Sequence, residues 1–255
     1  MIEADQSVPP ETTEDAFLGG RVRALQPRRG YRAATDPVLL AAAIPARAGQ
    51  SVLDLGCGVG VASLCLAVRL PGLTIAGLER QAEYAALARR NAAQNLCPLT
   101  VWEGCVTAPP AGLRALIFDH VMANPPWFDP KGSAAPDPGR DAARREDVPL
   151  ANWIATGLRR LRPGGHLTLI LPTARLPDAL CALQGRAGGA LRPLAAREGR
   201  PATRILLQAR KGGRAPFTIG PPLILHAGPR HLRDADDYTP QAQAILSDAA
   251  ALPMS

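Results

Sequence analysis

The stretch Ser51-Val52-Leu53-Asp54-Leu55-Gly56-Cys57-Gly58-Val59-Gly60 decides the fold. Its first five residues are a short apolar run broken by one acid, the length and content of a buried strand. Glycines then recur at alternate positions, which lets the backbone turn sharply and pass close to a ligand. A helix is expected over Gly60 to Leu70, so the turn ends at a helix amino terminus with unpaired N–H groups and the positive end of a dipole. The spacing is GxGxG, and Val61 stands where a dinucleotide-binding GxGxxG turn would have its third glycine.

Outward from this stretch the same alternation continues. Strands are expected at Thr74 to Glu79, Leu99 to Glu103, Leu116 to Ala123 and His166 to Leu171, with helices at Ala82 to Asn95 and near Leu150 to Leu161. Strands separated by helices imply an α/β fold: a mostly parallel sheet with helices on both faces and ligands beyond the carboxyl ends of the strands. Further on, a helix is expected at Pro177 to Gln184 and strands near Ala190 to Glu198, Arg204 to Lys211 and Phe217 to Leu225. Tyr238 to Asp248 closes the chain as a helix. Ahead of the glycine turn, Asp36-Pro37 reads as a helix start, Asp at the N-cap and Pro at the first helical position. Phe17 to Val22 reads as a strand or hairpin, and residues 1–16 as a flexible acidic tail. Residues 17–255 are expected to form a single domain, with 129–149 as an active-site loop because that stretch is charged and aperiodic.

Charge points the same way. The 255 residues carry 29 Lys and Arg against 22 Asp and Glu, and five of those acids lie in the first eighteen residues, where there is no Lys or Arg. The remainder is therefore strongly basic, which suits a polyanionic partner. Five cysteines without a CxxC pair indicate neither a disulfide framework nor a zinc ribbon, and the four histidines lack metal-site spacing. No run approaches the roughly 20 apolar residues that span a bilayer, and a reducing cytoplasm is the expected compartment.

The chemistry is carried by Asn124-Pro125-Pro126-Trp127, delivered by the fourth strand. Two consecutive prolines cannot continue a ladder, so an amide side chain, the Pro125 carbonyl and an indole face are presented together. That set holds a flat group with an exocyclic amine, adenine above all: two acceptors for the N–H hydrogens and a surface for the ring. Phe128 is a second wall for such a ring. Arg140 and Arg144 in the following loop are candidates for gripping phosphates.

The glycine turn together with Glu79 resembles motifs I and II of Rossmann-like class I S-adenosylmethionine-dependent methyltransferases, whose sheet has seven strands. The resemblance implies that Gly56, Gly58 and Gly60 lie against the methionine part of the cofactor, with Asp54 near its amino group and Glu79 on the ribose. It also implies an acceptor for the cofactor's adenine after the third strand, where this chain has Cys105, with the Val106 N–H reading the ring. The proline turn matches the (N/D/S)PP(Y/F/W) motif of amino-group methyltransferases. Gly30-Tyr31-Arg32, Thr35-Asp36, Leu39-Leu40, Ala143-Arg144, Tyr238 and Ala242 are similar to the bacterial tRNA1(Val) adenine-N6 methyltransferases, which implies that the amino-terminal segment, with Asp36, covers the cofactor. The implied activity is N6-methylation of an adenine in RNA, in a tRNA anticodon loop. Alternatives are a glutamine N5-methyltransferase, a ribosomal RNA guanine N2-methyltransferase and a non-catalytic RNA-binding scaffold. About fifty residues precede the glycine turn, too few for the helical domain of the glutamine enzymes.

Overall fold

The computed structural model describes residues 11–126, 148–228, 230 and 237–254. Trp127, Phe128, Arg140 and Arg144 lie outside the described residues, as does most of the loop expected at 129–149.

The described residues open with a hairpin of β1 (Thr12–Phe17) and β2 (Val22–Pro27), followed by α1 (Thr35–Ala42). An alternating run follows: β3 (Ser51–Leu55), α2 (Val61–Arg69), β4 (Thr74–Glu79), α3 (Ala82–Gln94), β5 (Leu99–Glu103), the single turn α4 (Ala111–Arg114) and β6 (Phe118–Ala123). After the loop come α5 (Leu150–Arg160), β7 (Leu161–Pro172), α6 (Leu176–Leu183), β8 (Ala187–Ala195) and β9 (Ala202–Lys211). Two-residue strands β10 (Thr218–Ile219) and β11 (Leu223–Ile224) and helix α7 (Pro240–Asp248) complete it.

The main sheet runs β10-β8-β9-β7-β6-β3-β4-β5, with β11 also paired to β8. Every pairing from β5 to β7 is parallel, and β9 is antiparallel to both β7 and β8. Seven long strands therefore form the expected sheet, and two short ones extend it. The strand expected over 217–225 is split into β10 and β11 around Gly220-Pro221-Pro222, because prolines have no N–H for the ladder.

Side chains alternate strictly between two apolar layers. Val52, Ile75, Met122, Ile170 and Leu206 face a layer that contains α1, α2, Tyr84 and Leu87 of α3, and Ile245 of α7. Leu53, Leu78, Val121, Leu169 and Leu207 face the other, built on Leu113, α5 and α6. This two-sided burial is why the central strands read as continuous apolar runs.

Among the boundaries that differ from the sequence reading, two lie on the amino-terminal side. The acidic stretch is a strand from Thr12, because Asp15 accepts from Gln26 Nε2 at 2.6 Å and pairs with Arg32. Helix α1 begins at Thr35, with Ala34 at the N-cap and no side-chain cap, so Asp36 is in the first turn and not at the cap. At the other end of the chain Thr239 does cap α7, its Oγ1 accepting from the Ala242 N–H at 3.2 Å, with Pro240 at the first helical position.

The hairpin is attached by side chains. Asn91, fully buried on α3, accepts the Leu25 N–H at 2.8 Å and donates to the carbonyls of Leu25 and Val59, both at 3.0 Å. One helical turn on, Asn95 accepts the Arg23 N–H at 3.0 Å and donates to the Arg23 carbonyl at 2.7 Å. Arg23 and Leu25 are alternate residues of β2, so two carboxamides one turn apart imitate the backbone of a neighbouring strand. Asn91→Ala should lower stability by about 2–3 kcal/mol, since it strands buried backbone groups, while the more exposed Asn95→Ala should cost about 1 kcal/mol. Urea unfolding checks this; an Asn91→Ala midpoint equal to wild type would contradict it.

Candidate active site

The carboxyl ends of β3, β4, β5 and β6 converge with the start of α1 on one cavity of about 370 Å³, a size suited to a nucleoside-like ligand. Its wall includes the glycine turn, Asp54, Glu79, Cys105 and the Asn124-Pro125-Pro126 backbone. Topology explains the convergence, since all four strands point the same way.

The glycine turn is shaped by hydrogen bonds from β4. The N–H groups of Gly56 and Cys57 donate to the Leu78 carbonyl at 2.7 and 3.0 Å. Glu79 takes the Gly58 N–H on one carboxylate oxygen at 2.9 Å and the Gln81 N–H on the other at 2.8 Å. Gly56 and Gly58 have φ of +69° and +56°, the left-handed region that favours glycine. A Cβ at Gly56 would stand 2.6 Å from the Trp153 ring of α5, whereas one at Gly58 would point into open space. Gly60, with φ of +90°, is at the N-cap of α2. It is not part of the cavity wall, and a Cβ there would meet Leu99 and Ala88, so it turns the chain into α2 against α3.

Asp54 is buried at the end of β3 and accepts from Ser63 Oγ at 2.8 Å. Burial pushes its carboxyl up to about 7; the Ser63 hydrogen bond opposes this and the Glu79 charge adds to it. Cys105, on the cavity wall, has its Sγ 3.2 Å from Thr107 Oγ1. Partial burial acts to raise the thiol's pKa, but the Thr107 hydrogen bonds and the Arg80 charge outweigh it and leave the thiol below its ordinary value. A thiol drawn toward thiolate is a better acceptor than a neutral one. Val106 is held by its carbonyl, which accepts from Thr156 Oγ1 at 3.0 Å.

Asn124 is half-buried, and its Nδ2 donates to the Tyr31 hydroxyl at 3.3 Å. Asp36 is on the wall too, where its Oδ2 lies 3.4 Å from Arg204 Nε of β9. Arg80, Arg204 and Trp153 all line the cavity and were not singled out as site residues in the sequence. Trp153 sits on the apolar face of an ordinary helix and carries no motif; Arg204 reaches the site because antiparallel β9 starts at the edge where the parallel strands end.

This sheet order, with a glycine turn after its first strand and an acid ending the second, is the Rossmann-like class I methyltransferase fold. A family model described as "Methyltransferase small domain" matches residues 34–177. The chain belongs to that family. It is 29% identical over 231 residues to a protein of Dickeya chrysanthemi named tRNA1(Val) (adenine(37)-N6)-methyltransferase, covering 87% of this chain and 88% of the relative. An Aeromonas hydrophila protein of the same name is 31% identical over 192 residues, 72% of this chain and 79% of the relative. Among solved structures, a predicted O-methyltransferase from Agrobacterium tumefaciens has a TM-score of 0.69 at 28% identity, covering 86% of this chain and 98% of that one. A Thermus thermophilus 16S rRNA methyltransferase, solved with AdoMet and guanosine, shares the fold at a TM-score of 0.53 and 20% identity, covering 79% of this chain and 50% of that one.

S-adenosylmethionine is the cofactor of this class, and the residues present fit it. The cavity is of nucleoside size, and its glycine turn offers bare backbone on one side. The buried Asp54 carboxyl would be stabilised as carboxylate by an ammonium group.

Gly56→Ala should cost about 2 kcal/mol or more beyond Gly58→Ala, because only the first drives a methyl group into a buried indole. Thermal unfolding of the two purified variants tests this; equal losses would mean that Trp153 yields freely.

Proposed function

We propose that the protein transfers a methyl group from S-adenosylmethionine to the N6 amine of an adenine in tRNA. The observation that carries this reading is the placement of Asn124 and Pro125 on the wall of the same cavity as Glu79 and Asp54. The full-length relatives named for adenine-37 of tRNA1(Val) support the choice of substrate.

When bound, the cofactor supplies an electrophilic methyl group on sulfonium sulfur. Asp54 would meet its ammonium, Glu79 its ribose hydroxyls, and Cys105 with Val106 its adenine. Glu79 already holds two backbone N–H groups, so it is fixed in place before any hydroxyl reaches it. An aryl amine attacks poorly because its lone pair is delocalised into the ring. Oxygen acceptors on both of its hydrogens, Asn124 Oδ1 and the Pro125 carbonyl, stabilise the positive charge that grows on nitrogen. The proton is lost to solvent after transfer, so no histidine base is needed. Trp127 and Phe128 are proposed as the surfaces that stack on the flipped base, worth on the order of 1–3 kcal/mol per aromatic. Arg140 and Arg144 are proposed as phosphate contacts together with Arg80, which is exposed at the cavity.

The Agrobacterium neighbour's description as an O-methyltransferase suggests a hydroxyl acceptor as a second reading. A hydroxyl has one hydrogen and calls for a base, whereas Asn124 and Pro125 present two acceptors. The amine is the better match.

Incubation with labelled S-adenosylmethionine and total small RNA from cells deleted for this gene, followed by nucleoside mass spectrometry, should give N6-methyladenosine in one tRNA. Methylglutamine in a release factor, or N2-methylguanosine, would replace this reading. Asn124→Ala should lower turnover about 100-fold or more while cofactor affinity stays within about threefold; unchanged turnover would sink the role of Asn124.

Asp54 gives the cofactor affinity a pH dependence. Its carboxyl is protonated below about 7 in the free protein and must ionise to meet an ammonium. Affinity should therefore rise up to about tenfold per unit as pH climbs toward 7 and level off above it. Calorimetric titrations from pH 5.5 to 7.5 test this; a flat profile would place the ammonium away from Asp54. The unliganded fold shows the opposite trend. Its raised pKa means the folded state holds a proton that the unfolded chain loses near pH 4, so this group's contribution to stability falls as pH rises from about 4 to 7.

A further inference from the structure

A carboxamide has two ends of nearly the same shape, and only one can accept a hydrogen bond. If Asn124 turned its NH2 toward the substrate amine, two donors would face each other and the stabilisation of the growing charge would be lost. Something must therefore hold the amide one way round.

Among the described residues, the group in contact is Tyr31. Asn124 Nδ2 donates to the Tyr31 hydroxyl at 3.3 Å, and Tyr31 lies on the cavity wall. Tyr31 is itself clamped through its backbone: its N–H donates to the Tyr84 hydroxyl at 3.0 Å, and that hydroxyl donates to the Tyr31 carbonyl at 3.3 Å. Tyr84 is buried on α3. The segment is pinned beyond it as well. Buried Gln26 accepts the Ala33 N–H at 2.7 Å and donates to the Ala33 carbonyl at 3.1 Å, and Arg32 donates to the Pro27 carbonyl at 3.0 Å and to Thr13 Oγ1 at 2.6 Å. The phenol is thus presented from a fixed backbone on both sides.

We propose that Tyr31 is a positioning residue for methyl transfer: its hydroxyl takes an amide hydrogen of Asn124 and so turns the Asn124 oxygen toward the substrate amine. This rests on the reading of Asn124 as an amine acceptor. Tyr31 touches no reacting atom; it acts through Asn124. The segment between β2 and α1 then serves the transfer step itself, since it carries the residue that sets the acceptor's direction, and the hairpin serves by pinning that segment through Gln26, Pro27 and Thr13.

The test uses the side chain that needs no orienting. A carboxylate accepts on both oxygens, so Asn124→Asp presents an acceptor whichever way it is turned. The full-length protein and its Tyr31→Phe, Asn124→Asp and doubly substituted forms are compared for kcat, KM for total small RNA from the deletion strain, and S-adenosylmethionine affinity by calorimetry. Tyr31→Phe keeps the ring and the backbone bonds to Tyr84. It should lower kcat about tenfold, with cofactor affinity and RNA KM within about twofold. In the Asn124→Asp background the same change should lower kcat less than about twofold. Equal losses in both backgrounds would overturn the proposal, and so would a fall in cofactor affinity that matches the fall in kcat. An Asn124→Asp rate no better than that of Asn124→Ala would also overturn it. Full turnover by Asn124→Ala would instead remove the underlying reading of Asn124, a result distinct from all of these.

Discussion

The carboxylate of Glu79 is the constraint on which the site depends. It ends β4 and is 7% exposed, and both its oxygens are engaged by backbone N–H groups, one from Gly58 in the turn and one from Gln81 at the start of α3. A buried anion of this kind is tolerated because charge-assisted hydrogen bonds replace its water. In return it fixes the height at which the glycine turn crosses the sheet edge. Two more N–H groups of that turn are taken by Leu78, so four donors in all are gathered by the last two residues of one strand and the turn is held in a left-handed path. Neighbouring strands conform to the same crossing: Gly77 leaves room for Cys57, whose Sγ would lie 2.7 Å from a Cβ at that position.

Much of this was legible in the sequence because it is local. Strand, turn and helix around 51–70 follow from an apolar run, alternate glycines and helical periodicity, and each is decided by near neighbours. The proline turn was legible for the same reason: two residues without N–H groups end a ladder wherever they occur. Contacts between distant segments were not. Asp36 before Pro37 satisfies every local rule for an N-cap, yet it is drawn to Arg204, which is 168 residues away. The third glycine fits the motif's spacing as well as the first two, but its close packing against Ala88 of α3 and Leu99 of β5 comes from distant segments. Nor does any pattern mark Asn91 and Asn95, since two asparagines near a helix end ordinarily read as a frayed terminus.

The titratable groups on the cavity wall are set by burial and by their charged neighbours. Burial pushes the Asp54 carboxyl to about 7, against the Ser63 hydrogen bond, and the nearby Glu79 charge adds to the rise. Nearby, Arg80 acts on Cys105 in the opposite sense and favours its thiolate. The cavity wall thus carries a carboxyl that a neighbouring cation would ionise and a sulfur drawn toward thiolate. Under the proposed function, an elongated ligand with an ammonium at one end and an aminopurine at the other would meet both.

Asn91 of α3 and Asn95 at its C-cap have a consequence beyond holding the hairpin. A two-stranded ribbon standing apart from the main sheet has outward-facing N–H and C=O groups at Arg23 and Leu25, which is a template onto which another molecule's extended segment can add. Asn91 and Asn95 fill that template with side chains. The edge is closed without a further strand, so the protein can keep a short ribbon apart from its main sheet and still resist recruitment into intermolecular sheets as it folds in a crowded cell.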